Sequence, residues 1–191
     1  MDDLTGKVAL VTGSSRGIGC AAAVALAQAG SAVAINYRSH EDKARETLRM
    51  IQAVGAHGAL AQADVSVGRE VARMVGIVEQ KLGPIDILVN NAGIIRPQAI
   101  EDIREEDWDD LIDINLKSAF LVRASPQPLR DQGDQAVVMR SLFEFFLKIE
   151  YGDFGYGDFE SRERLLMVQR SISVGVMEAG SSWRRLLRRP G

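Results

Sequence analysis

Gly13, Gly17 and Gly19 punctuate the stretch Thr-Gly-Ser-Ser-Arg-Gly-Ile-Gly at residues 12–19. Glycines at that spacing permit a tight turn and a close approach of backbone to a pyrophosphate, and a helix starting there presents unpaired N–H groups to it. Gly13, Ser14, Ser15, Arg16, Gly17, Ile18 and Gly19 are therefore candidate cofactor-binding residues. The spacing G-x-x-x-G-x-G differs from the familiar G-x-G-x-x-G, so a glycine turn without a ligand stays open as the alternative. About twenty residues further on, an acid would accept hydrogen bonds from a free ribose 2′-hydroxyl. Asn36-Tyr37-Arg38-Ser39 offers no acid there, but Arg38 and the loop's own Arg16 supply two guanidinium groups suited to a 2′-phosphate. The pattern points to NADP(H) rather than NAD(H), with two ordinary solvated arginines as the bland alternative.

Such a loop works only if secondary structure holds it at a sheet edge. Residues 7–13 (KVALVTG), 31–37 (SAVAINY), 58–64 (GALAQAD) and 84–93 (PIDILVNNAG) read as short β segments ending in turn residues. Between them, residues 20–30, 41–55 and 69–83 have helical patterns, each closing on a glycine suited to a C-cap. The alternation implies βαβ units and a parallel sheet covered on both faces, an α/β doubly wound fold of Rossmann type. Ligands bind such sheets beyond the carboxyl ends of the strands, where the glycine stretch lies.

The motifs TGSSRGIG, Ala63–Ser66 (ADVS), Leu88–Ile94 (LVNNAGI) and Trp108–Val122 (WDDLIDINLKSAFLV) resemble, in order and spacing, the short-chain dehydrogenase/reductase family, particularly its 3-oxoacyl-carrier-protein reductases. The resemblance implies that Gly13 to Arg16 hold the pyrophosphate and 2′-phosphate end. It gives Asp64 and Val65 to the adenine, and Asn91, Ala92 and Gly93 to the nicotinamide ribose side. It also gives Asn115 a place in the proton relay, holding a water. From the residues alone, an Asn within a helical run disturbs the local hydrogen-bond ladder or simply faces solvent.

The family's remaining catalytic members are a Ser after the fifth strand and, further on, a Tyr followed four positions later by Lys. A tyrosine with a pKa near 10 protonates a carbonyl oxygen usefully at neutral pH only if a cation lowers that value. Ser141, after Ala136–Arg140, is the candidate serine, with a commonplace strand-end serine as the alternative. The chain's three tyrosines are followed at that distance by Glu41, Gly155 and Glu160, never by Lys. The doubled unit YGDFGYGDFE at residues 151–160 thus falls near the family's active-site position but lacks its cation, and its glycines and acids read as a flexible loop.

Residues 142–191 are expected to form a divergent tail, loop plus amphipathic helix, rather than a domain of their own, with residues 1–141 as the NADP-binding domain. The doubly wound sheet is then expected to be incomplete on its C-terminal side. A reading-frame change, a fusion or genuine divergence after Ser141 would each produce that break.

The formal net charge of −3 and the single cysteine, Cys20, argue against nucleic acid, an internal disulfide and, with only His40 and His57 beside it, a metal site. The arginines at residues 184–189 read as a solvated terminus. With no apolar run of about 20 residues, the expectation is a cytoplasmic protein without membrane association, acting on a small-molecule or acyl-thioester substrate and able to form a homo-oligomer. Three functions stay open: an NADPH-dependent carbonyl reductase of weak or lost activity, an NADP(H)-binding module without catalysis, and a non-functional product.

Overall fold

The structure, a computed structural model, describes residues 3–125 and 137–139. Five parallel strands form one sheet: β1 (Val8–Val11), β2 (Ala32–Tyr37), β3 (Gly58–Gln62), β4 (Ile87–Asn90) and β5 (Val137–Met139), in the order β3-β2-β1-β4-β5. The chain moves outward from β1 to β3, then returns to the other side of β1 for β4. Strand order therefore reverses between β1 and β4, which opens a crevice at their carboxyl ends.

Burial explains the sequences of the central strands. All four residues of β1 and of β4 are buried, and all but Asn90 are apolar, as a sheet covered on both faces requires. Val8 and Leu10 face one layer, with α3 (Gly68–Leu82) contributing Val71, Met74, Val75 and Val78. Ala9 and Val11 face the other, with α1 (Gly17–Gln28) and α2 (Glu41–Ala53) contributing Ala22, Ala23, Leu26, Ala44 and Ile51. The small residues of α1 suit a helix packed flat on the sheet. Gly30, Gly55 and Gly83 follow the three helices with positive φ, as the sequence pattern leads one to expect.

After β4 the chain runs without regular structure to a 3₁₀ turn at Ile100–Asp102, then into α4 (Glu105–Ile112), a π-helical segment at Asp113–Lys117 and α5 (Ser118–Arg123). Val122 of α5 joins the α3 side of the core. At the opposite end of the sheet, the Asp86 carboxylate accepts a hydrogen bond from the Val8 N–H at 2.9 Å. Ser141 and residues 142–191, with the expected tail and its repeat, lie outside the described residues.

Leu10 is fully buried on the central strand, whereas Met50 on α2 is half exposed. Leu10→Ala is expected to destabilise the fold by about 2–5 kcal/mol, and Met50→Ala by no more than about 0.5 kcal/mol. Denaturant unfolding of the two variants checks the contrast.

Candidate dinucleotide site

Leaving β1, the chain reaches Gly13 at φ 62°. A Cβ there would sit 2.9 Å from the Ala92 Cα, so the turn lies directly against the segment after β4. Gly19 is more tightly confined: a Cβ would lie 2.6 Å from the Gly13 carbonyl oxygen and 2.9 Å from the Ser14 Cα. Those two glycines let the first turn of α1 fold back onto the end of β1. Arg16 occupies the N-cap position with extended backbone, and no side chain caps the helix. The first N–H groups of α1 are not used by the helix itself and so remain suited to an anion.

Side chains from both neighbouring strands pin this loop. On the β2 side, Asn36 Oδ1 accepts the Gly13 N–H at 3.0 Å, and the Asn36 carbonyl accepts the Ser14 N–H at 2.9 Å. The Asn36 amide donates in turn to the carbonyls of Ala61 and Ala63, at 3.1 and 3.2 Å. On the β4 side, Asn91 Nδ2 donates to the Thr12 and Gly13 carbonyls at 2.9 and 3.1 Å. The Thr12 hydroxyl accepts from the N–H groups of Asn91 and Ala92, at 2.9 and 3.0 Å. The Thr47 hydroxyl, on α2, donates to the Ser15 carbonyl at 3.2 Å.

Sequence reasoning treated Asn36 only as a missing acid and passed over Thr12. Their positions, one at a strand end and one opening the glycine motif, were the available signal. The structure buries Asn36 to 2 % exposure and engages its amide within the protein, so the expected ribose-reading position is filled by a side chain turned inward. Asn91 is at the crevice, with its side-chain amide committed to the loop. Asn90, beside it, is buried with its Nδ2 unpartnered among the described residues.

The exposed rim carries the charges. Arg16 and Arg38 are both exposed, and Arg38 Nη1 stands 3.5 Å from Asp64 Oδ2. Asp64 follows β3 with its N–H held by Glu70 at 2.8 Å, while its Oδ1 accepts from the Ser66 N–H and hydroxyl at 3.0 and 2.6 Å. Partial burial pushes the Asp64 carboxyl upward, but the Ser66 hydrogen bonds and the Arg38 guanidinium outweigh it, leaving the group below its ordinary value. Val65 is buried next to it, and Gly93 is exposed in the segment after β4.

Asn115 lies in the π-helical segment, where an interruption of the i to i+4 ladder matches its expected disturbance of the helix. It does not face solvent: it is 7 % exposed, with Oδ1 accepting the Ile94 N–H at 2.8 Å and Nδ2 donating to the Ile94 carbonyl at 2.9 Å. Two residues on, Arg96 pairs with Asp107 and with Asp110, the latter at 2.8 Å, while Arg104 reaches Asp107 at 2.8 Å. The Arg104 hydrogen bond, more than any other influence, holds the Asp107 carboxyl below its ordinary value. Asp107 and Asp110 therefore anchor α4 to the segment after β4 through Arg96. No group of three or more His, Cys, Asp or Glu side chains suited to a metal occurs among the described residues, and no described helix is long and apolar enough to cross a membrane.

A parallel sheet with a glycine turn and an uncapped helix at its reversal point is the architecture of a Rossmann-type α/β protein. The short chain dehydrogenase family model matches residues 7–142, and the chain belongs to that family. Over 138 residues it is 41 % identical to the 3-oxoacyl-[acyl-carrier-protein] reductase of Staphylococcus epidermidis, covering 71 % of this chain and 57 % of that protein. Over 121 residues it is 43 % identical to the reductase of the same name from Synechocystis, covering 63 % and 49 %. The chain thus spans about half the length of these curated relatives.

Among solved structures, a short-chain alcohol dehydrogenase from Sinorhizobium meliloti superposes with a TM-score of 0.66 at 39 % identity, over 71 % of this chain and 54 % of that one. A short chain dehydrogenase from Burkholderia cenocepacia, solved in complex with NADP, gives 0.61 at 39 % identity over 63 % and 49 %. The site residues described here lie within the matched region, and Ser141 lies at its end, outside the described residues.

Because the Asp64 carboxyl is held below its ordinary value of 3.8, its ionised form contributes stability that is present above that pH and lost as pH falls through the lower folded value. Asp64→Asn should remove that part of the acid dependence, giving a shallower loss of stability below about pH 4. Unfolding midpoints measured from pH 2 to 7 for both proteins check this, and identical slopes would contradict it.

Proposed function

We propose that this chain binds NADP(H) at the crevice between β1 and β4. The observation that carries the reading is the uncapped N-terminus of α1 behind a glycine turn already fixed from both sides, with two exposed guanidinium groups at its rim. In this reading Gly13, Ser14, Ser15, Gly17, Ile18 and Gly19 cradle the pyrophosphate. Arg16 and Arg38 pair with the 2′-phosphate, Asp64 and Val65 border the adenine, and Asn91, Ala92 and Gly93 border the nicotinamide ribose. The Burkholderia relative's complex with NADP supports the cofactor class. Arg38 would exchange its 3.5 Å pairing with Asp64 for the phosphate, a doubly charged partner offering bidentate contacts.

The reaction class we propose is reduction of a carbonyl, with a 3-oxoacyl thioester as substrate, on the strength of the reductases at 41 % and 43 % identity. Bound NADPH supplies the hydride. Asn115 and Ser141 are the residues we assign to the proton-relay side and to the carbonyl oxygen. Turnover by this chain alone is expected to be weak or absent, because no tyrosine in its sequence is followed four residues later by the lysine that would lower its pKa. That sequence observation favours a second reading, an NADP(H)-binding module that does not catalyse. A homo-oligomer, a cytoplasmic location and the division into residues 1–141 and 142–191 complete the proposal. The exposed Trp108, Leu116 and Phe120 on α4, the π segment and α5 offer an apolar face to a second copy.

NADPH is expected to bind more tightly than NADH, and Arg38→Asp to shrink or reverse the preference, since one charge-assisted contact is worth about 1.5–3 kcal/mol, on the order of ten- to a hundredfold in affinity. Fluorescence titration with both cofactors measures it, and equal affinities in the unmodified protein would remove the 2′-phosphate assignment.

With acetoacetyl thioester, NADPH oxidation should lie several orders of magnitude below that of an ordinary reductase, because positioned acid catalysis alone contributes roughly 10²- to 10⁴-fold. Robust oxidation that disappears in Tyr156→Phe would show that another group supplies the missing charge.

A further inference from the structure

We propose that Asn36 is a positioning residue for the dinucleotide, locking the glycine loop and the adenine-side turn after β3 into one fixed relation. The inference rests on the NADP(H) reading above and adds a residue to it. The Asn36 side chain, 2 % exposed, bridges two segments that the chain separates by about fifty residues: Gly13 N–H on one side, the Ala61 and Ala63 carbonyls on the other. Ala63 immediately precedes Asp64 and Val65. The Asn36 main-chain carbonyl also takes the Ser14 N–H at 2.9 Å. Two successive loop amides are thereby turned into the sheet, and those of α1's first turn are left for the phosphates.

The chemistry of the partners fixes both the residue type and its orientation. Gly13 offers a donor and the two alanines offer acceptors, so the side chain must present one acceptor and two donors at this reach. A flipped amide would set N–H against N–H and oxygen against two carbonyls. Aspartate would keep the acceptor and lose both donors, burying a charge beside two carbonyl oxygens. Leucine would fill the volume and leave three backbone groups, two of them buried, without this partner. Asn91 completes the hold by donating to the Gly13 carbonyl at 3.1 Å, so the N–H and C=O of Gly13 are both fixed by asparagines, from strands on opposite sides of β1.

The test joins amide hydrogen exchange with ligand binding on the full chain. In the unliganded wild type, the Gly13 and Ser14 amides should exchange as slowly as those of the strands, while Gly17 exchanges fast. In Asn36→Leu the Gly13 protection should be lost, whereas Asn36→Asp keeps that acceptor and removes only the donors to the Ala61 and Ala63 carbonyls. Affinity for NADPH and for 2′,5′-ADP, measured well below the unfolding temperature, should fall between about fivefold and a hundredfold. The effect of Asp64→Ala on 2′,5′-ADP binding should also shrink in the Asn36→Leu background, a non-additivity that a general loss of stability would not produce. Fast exchange of Gly13 in the wild type would overturn the proposal, even if neither variant folds. So would wild-type affinity in a folded Asn36→Leu protein. A wild type that binds neither NADPH nor 2′,5′-ADP would overturn the functional reading itself.

Discussion

The close approach of the β1–α1 turn to the segment after β4 is the constraint on which the site depends. No side chain can be added at Gly13 without meeting Ala92, or at Gly19 without meeting the Gly13 carbonyl. That contact is made available by strand order: β2 and β4 flank β1, so the ends of both strands reach the turn. A turn held by backbone proximity alone could still rotate its peptide groups. Here the hydrogen bonds of Asn36, Asn91 and Thr12 specify those orientations. The loop is therefore shaped before any ligand arrives, which reduces the ordering cost that binding must overcome.

The same logic extends along the stretch after β4, which has no regular structure until residue 100. It is held at successive points: Asn91 and Ala92 by Thr12, Ile94 by Asn115, and Arg96 by Asp107 and Asp110. An α-helix running unbroken through Asn115 would follow the regular i to i+4 ladder, and the π segment departs from it where the Asn115 amide meets Ile94. π-helical turns commonly mark functional sites. In this chain the irregular ladder coincides with a two-way amide contact that fixes one wall of the crevice.

Much of this was legible in the sequence because it is written in local patterns. Strand-type segments at residues 7–13, 31–37, 58–64 and 84–93, and helices ending before Gly30, Gly55 and Gly83, are signals within a few residues of one another. Strand bounds came out shorter than the apolar runs suggested: β4 spans Ile87–Asn90 within the run at 84–93, since the residues beyond it turn toward Thr12 and Asn115 rather than a neighbouring strand. The role of Asn36 was illegible for a different reason. Its partners lie some twenty-five residues away on either side, and an asparagine at a strand end looks the same whether it faces a ribose or the protein interior. Asn115 was legible as an irregularity, but its burial depends on where Ile94 arrives, which no local pattern encodes.

The recurrence of asparagine at this edge has a physical basis. Where parallel strands end at different heights, the last backbone N–H and C=O groups lose their ladder partners and yet remain buried. A side chain with both a donor and an acceptor can satisfy either kind at once. Serine and threonine have less reach, and a carboxylate would bring a buried charge needing its own compensation. Asn36, Asn91 and Asn115 each serve backbone groups without adding net charge to the crevice. The charged groups Arg16, Arg38 and Asp64 stand instead at its rim, where water moderates their cost. Neutral amides fix the shape of the crevice, and the charges stand outside that buried network.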